Sequence, residues 1–108
     1  MKHLLFICSS DLDRSPCAES LFEQRKEYEA KSCGTLPHAE VKVSEKLIKW
    51  ADIIFCMENI HKEFIYDKFT GLWDNKRIIV LNIPDTFVRN DPNLKILLKK
   101  ELSEWLRE

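Results

Sequence analysis

Short apolar runs alternate with amphipathic stretches along this chain. Residues 4–8 form an unbroken apolar run closed by polar residues 9–13, the pattern of a strand buried on both faces. Beyond Ser15-Pro16, the residues Ala18, Leu21, Phe22, Arg25 and Tyr28 recur at three- and four-residue spacing. That predicts a helix with Ser15 as N-cap and Pro16 as its first residue. Residues 30–33 predict a short second strand ended by Gly34, and 45–51 a second helix capped by Ser44, with Val43 stapled to Ile48. Residues 53–57 read as a third strand. A helix over 59–69 follows, with Ile60, Phe64 and Ile65 facing inward. Residues 77–81 give a fourth strand stopped by Pro84, and Asp91-Pro92 opens a last helix with the stripe Leu94, Leu97, Leu98, Leu102 and Trp105.

Strand and helix thus alternate four times, which implies parallel pairing with helices on both faces. The expected fold is a small doubly wound α/β domain, a four-stranded parallel sheet in a single unit over residues 1–108. Such sheets bind ligands at the carboxyl ends of their strands, where strand order reverses. That directs the search for chemistry to the loops at 8–15, 32–35, 57–59 and 82–90.

Composition narrows the function classes. Seventeen Lys and Arg against eighteen Asp and Glu leave a net charge of −1, which offers no electrostatic footprint for nucleic acid or an anionic membrane. The N-terminal apolar run falls far short of the roughly 20 residues a membrane span needs and lacks a cleavage-like site, so the expected location is cytoplasmic. The four cysteines, Cys8, Cys17, Cys33 and Cys56, form no C-x-x-C pair and have no metal-type spacing with His3, His38 or His61. Free thiols and no metal are expected.

The loop after the first strand carries the chemistry. Cys8 ends the strand, and Arg14 follows just before a proline-started helix. A loop turning from strand into helix aims backbone N–H groups at one spot, which favours an anion there. The same dipoles favour a cysteine thiolate, the nucleophilic form, and the planar fork of Arg14 matches two phosphate oxygens. An ordinary buried cysteine beside a surface arginine is the plainer alternative.

The run from Cys8 to Glu19, Cys8-Ser-Ser-Asp-Leu-Asp-Arg14-Ser15-Pro16-Cys-Ala-Glu, resembles the C-x-G-N-x-C-R-S-P-x-A-E signature of low-molecular-weight protein tyrosine phosphatases. Ser32-Cys-Gly34-Thr35 is similar to that family's S-A-G-T segment, and the stretch from Ala51 to Glu58 to its A-D-x-I-x-x-M-D/E segment. The likeness is to a short branch lacking much of the segment between the second strand and second helix. It implies hydrolysis of a phosphomonoester, on a phosphorylated protein or a small phosphate ester, through a cysteinyl-phosphate and without a cofactor. Cys8 would be the nucleophile, and residues Ser9, Ser10, Asp11, Leu12, Asp13, Arg14 and Ser15 the phosphate loop. Ser15 would help hold the thiolate charge, and Ser32 would brace the loop. The oligomeric state stays open.

The family draws its general acid from a late loop, written D-P before an aromatic. Asp85 and Asp91 both qualify here, and only Asp91 precedes a proline. Asp91 has a sufficient reason to exist as the N-cap of the last helix, whereas Asp85 lies just past the fourth strand with Phe87 two residues on. Asp85 is therefore the expected acid, and Phe87 a candidate wall for the substrate. Trp73 is a second candidate wall, and Trp50 and Trp105 read as helix-packing residues.

Three loop positions depart from the signature: Ser10 replaces its glycine, Asp11 its asparagine and Asp13 its second cysteine. A left-handed backbone at Ser10 would be hard to hold. Each added carboxylate, about 8 Å from a phosphate charge at an effective dielectric of roughly 20, would cost about 2 kcal/mol. Asp11→Asn is accordingly expected to raise kcat/KM. Asp13 also removes a disulfide partner for an oxidised Cys8, which points oxidation of Cys8 toward irreversible products. Two other readings remain: an oxyanion-binding module without turnover, motivated by Asp11 and Asp13, and a thiol-relay arsenate reductase using Cys56.

Overall fold

The computed structural model describes residues 1–72 and 76–106. Its elements run β1 (Lys2–Cys8), α1 (Arg14–Ser20), β2 (Tyr28–Gly34), α2 (Glu45–Trp50), β3 (Ile53–Cys56), α3 (Asn59–Lys68), β4 (Arg77–Val80) and α4 (Pro92–Leu106). The strands pair in parallel in the order β2-β1-β3-β4, so strand order reverses at β1. The doubly wound four-stranded sheet expected from the alternation is the one observed.

Alternation of side chains along β1 builds two cores. Leu4, Phe6 and Cys8 face one layer, with Ala18 and Phe22 from the α1 side and Leu94, Leu98 and Leu102 of α4. Leu5 and Ile7 face the other, with Ile48 of α2 and Ile65 of α3. Both faces of β1 are covered, which explains its unbroken apolar run. Phe6 stacks on Phe55 and Phe22, with ring centroids 5.3 and 5.7 Å apart.

Several expectations shift by a turn. Asp13, not Ser15, is the N-cap of α1, and its side chain makes no capping hydrogen bond. Ser15 lies inside the helix because its hydroxyl is drawn to Cys8. Helix α1 ends at Ser20, so Arg25 and Tyr28 fall outside it. Tyr28 instead opens β2 and meets Phe22 edge-on at 5.4 Å, an aromatic contact suited to a strand start. In α3, Ile60 is exposed and His61 is buried in its place. Trp105 is 43% exposed at the outer end of α4, and Trp50 stacks on His3 at 4.4 Å. Trp73 lies outside the described residues. No described helix is long and apolar enough to cross a membrane.

Gly34, at the end of β2, sets how closely the β1–α1 loop can approach. A Cβ there would stand 2.5 Å from the Ser9 carbonyl oxygen, 2.7 Å from Ala39 Cβ and 3.0 Å from the Asp11 nitrogen. Two of those three neighbours are backbone atoms, which cannot rotate away. Gly34→Ala is expected to cost about 1–3 kcal/mol of stability in urea denaturation, the range for overpacking a tight site.

Candidate active site

The residues between β1 and α1 are strapped from outside by the segment after β2. The carbonyls of Cys8, Ser9 and Ser10 accept from the amides of Thr35, Leu36 and Glu40 at 3.0, 3.0 and 3.1 Å. With its carbonyls turned outward, the loop keeps its amides for the inside. Among the described residues, those of Ser9, Ser10, Leu12 and Asp13 have no protein acceptor. Asp11 has φ 56°, the left-handed turn that brings its own N–H back to Cys8 Sγ at 3.2 Å. The left-handed residue is thus Asp11 and not Ser10. Aspartate tolerates that conformation better than most residues, so the missing glycine is no obstacle.

Cys8 lies at the base of a cavity also lined by Ser9, Ser10, Leu12, Asp13, Arg14 and Asp85. Its sulfur is 2.9 Å from Ser15 Oγ. Two donors, the Asp11 amide and the Ser15 hydroxyl, are therefore in place for a thiolate.

Arg14 is 2% exposed and held from two directions. One guanidinium nitrogen, Nη1, donates to Glu58 Oε1 and to the Ile83 carbonyl, the latter at 2.8 Å. That leaves the donors on Nε and Nη2 for an anion, and Asp85 Oδ1 lies 3.7 Å from Nε. Glu58 and the Ile83 carbonyl were not singled out from the sequence. Their contacts to Arg14 span 44 and 69 residues of chain, beyond any local pattern.

His61 is a second unforeseen member. Its Nδ1 accepts from the Glu58 amide at 3.0 Å while the Glu58 side chain takes the amide at the third helical position, a reciprocal cap. The hydrogen of the neutral ring is then on Nε2, 3.0 Å from Ser9 Oγ, and donates into the loop. Burial, reinforced by the Arg14 charge, pushes the His61 pKa down to about 4. The unfolded chain binds a proton near pH 6.5 that the folded one refuses, so stability falls as pH drops through that window. We expect about 2 kcal/mol to be lost between about pH 7 and pH 5 in urea denaturation. In His61→Asn most of that loss should vanish.

The other expected site residues separate into groups. Asp13 lines the cavity, and its Oδ1 accepts from the Arg89 amide at 2.9 Å, tying the loop between β1 and α1 to the segment carrying Asp85. Ser32 stands beside the buried Asp11 carboxyl, where its side chain favours the charged form. Phe87 does not line the cavity: it packs against the core beside α1 and α4, an apolar ring taking the drier of two surfaces. Asp91 Oδ1 accepts from the Asn93 amide at 2.8 Å at the start of α4. Cys56 is fully buried in the opposite core layer, where burial pushes its thiol up to about 12, the reverse of what a relay thiol needs. No three His, Cys, Asp or Glu side chains among the described residues are grouped to hold a metal ion.

No family model and no curated protein matches the sequence. Solved structures do match. An arginine phosphatase, YwlE, from Geobacillus stearothermophilus aligns with a TM-score of 0.72 and 23% identity, over 99% of this chain and 94% of that one. A low-molecular-weight protein tyrosine phosphatase from Streptococcus pyogenes aligns with a TM-score of 0.82 and 19% identity, over 99% and 92%. A protein tyrosine phosphatase from Entamoeba histolytica gives 0.77 and 18%, over 99% and 94%. The chain has the fold of the low-molecular-weight phosphatases.

Proposed function

We propose that this chain, built on that fold, is a phosphomonoester hydrolase of the protein-tyrosine-phosphatase type acting through a cysteinyl-phosphate. The observation that carries the reading is the convergence around one cavity of the Cys8 sulfur, a clamped Arg14 and loop amides without protein acceptors. Each part suits a phosphoryl group, and no core-packing role explains an arginine that is 2% exposed with donors to spare.

On this reading, Cys8 as thiolate attacks phosphorus, and the phosphorus–oxygen bond to the leaving group breaks. The amides and the free edge of Arg14 hold the equatorial oxygens and neutralise their charge, the work a cation does elsewhere. Asp85 gives its proton to the departing oxygen. The carboxylate so formed then takes a proton from water, whose oxygen attacks phosphorus. The sulfur–phosphorus bond breaks, releasing inorganic phosphate and restoring the thiolate. Leu12, 48% exposed at the rim, supplies an apolar contact beside the leaving group.

Similar folds named for tyrosine and for arginine phosphatases share a phosphoryl group as substrate. The substrate proposed here is a phosphorylated protein side chain or a small phosphate ester. The test is hydrolysis of p-nitrophenyl phosphate by the purified chain, inhibited competitively by vanadate and lost in Cys8→Ser. Tight vanadate binding with no turnover would instead make the protein an oxyanion-binding module.

A further inference from the structure

Ser15 has one hydroxyl hydrogen and three acceptors in reach: Cys8 Sγ at 2.9 Å, Asp11 Oδ1 at 2.9 Å and the Cys33 carbonyl at 3.3 Å. A hydroxyl donates once. If Cys8 is a thiolate and Asp11 a carboxylate, two anions compete for the one Ser15 hydrogen, Cys8 keeping only the Asp11 amide or Asp11 only its other donors. The other oxygen of Asp11 is already committed, since Oδ2 accepts from the Val41 amide at 3.1 Å. Oδ1 is therefore the oxygen turned to Ser15.

No cation among the described residues stands against Asp11 to compensate a negative charge there. Cys8 faces it from the end of β1, Ser15 from α1, Ser32 and Cys33 from β2, and Val41 and Glu40 from the segment between β2 and α2. None of these is a cation, and Glu40 adds like charge. The side chain is 3% exposed. Burial, with a further push from Glu40, holds its carboxyl above the ordinary range, against the hydrogen bonds from Ser32, Ser15 and Val41.

We infer that Asp11 is a positioning residue that works as a neutral acid, its Oδ1 hydrogen donated to Ser15 so that the Ser15 hydrogen goes to the Cys8 thiolate. In this state Cys8 and Asp11 together hold one proton, on Oδ1. Losing it at higher pH turns Asp11 into a pure acceptor that draws the Ser15 hydrogen away from sulfur and sets a second negative charge beneath the phosphoryl site. An asparagine would reproduce the neutral acid, its amide oxygen accepting from Val41 and its NH2 donating to Ser15. The inference rests on the hydrolase reading for its effect on rate, but not for the position of the proton.

The experiment compares kcat/KM for p-nitrophenyl phosphate in the wild type and Asp11→Asn across pH, where limbs common to both cancel in the ratio. The ratio should hold a plateau at low pH and rise above it by up to about tenfold per unit once Asp11 ionises. In a Ser15→Ala background the same substitution should gain markedly less with rising pH, because the charge of Asp11 remains but the link to sulfur is gone. A flat ratio, or a pH-dependent gain undiminished in Ser15→Ala, overturns the inference. Difference infrared spectroscopy should also find in the wild type near neutral pH the carbonyl band of a protonated carboxyl group, missing in Asp11→Asn. Absence of that band from the wild type overturns the inference as well. Should no variant hydrolyse the ester, the hydrolase reading fails, and the infrared band still decides where the proton lies.

Discussion

Cys8→Ser is expected to lower kcat/KM for p-nitrophenyl phosphate by at least about 10⁴-fold, the scale on which removing a nucleophile acts. The loss should fall on turnover and not on binding. Arg14 is held by Glu58 and the Ile83 carbonyl, and the loop carbonyls are strapped by Thr35, Leu36 and Glu40, so none of these parts, proposed above to hold phosphate, is held by the sulfur. Phosphate affinity measured by calorimetry should therefore stay within about threefold of the wild type, since binding uses contacts the substitution leaves intact. The Ser15 hydroxyl and the Asp11 amide, placed at 2.9 and 3.2 Å from sulfur, cannot compensate. They suit an anion that sulfur forms readily and a serine oxygen does not. Residual activity above about one per cent, with wild-type contamination excluded by mass spectrometry, would remove Cys8 from the reaction, since lost nucleophiles leave far less.

The parts of this molecule that were legible from its sequence are those governed by local rules. The β1 run, the Ser44 cap (its Oγ accepts from Leu47 at 3.3 Å) and the Asp91 cap each depend on neighbours within a few residues. The errors fall where a distant partner overrode such a rule. Ser15-Pro16 has the composition of a helix start, but the Ser15 hydroxyl serves Cys8, seven residues back, and the helix begins earlier. The spacing of Ile60, Phe64 and Ile65 fits an inward stripe, yet the polar His61 takes the buried place because Ser9, 52 residues away, accepts its hydrogen. The Glu58–His61 spacing did hold a readable signal, a helix-start pair in the manner of a capping box, with histidine where glutamate or glutamine is usual. Asp13 read as an added charge in a phosphate loop, and nothing local foretold its bond to the Arg89 amide.

Asp85→Asn should reduce kcat by about 10²- to 10⁴-fold for phenyl phosphate, the range for loss of a general acid. For 2,4-dinitrophenyl phosphate, whose leaving group departs without a proton, the loss in the bond-breaking step should be far smaller. That contrast is the mark of proton donation, because an asparagine that merely disturbed the loop would slow both esters alike. Asp91→Asn is the matched control. Its carboxylate accepts from the Asn93 amide to cap α4, asparagine caps a helix about as well, and rate and stability should both be nearly unchanged. If the two losses were exchanged, Asp91 would have to leave its cap and reach the cavity. The tether from Asp13 to the Arg89 amide and the Asp91 amide bond to the Val88 carbonyl at 3.1 Å both oppose that movement. The geometry that already puts Asp85 3.7 Å from Arg14 Nε asks for no such rearrangement.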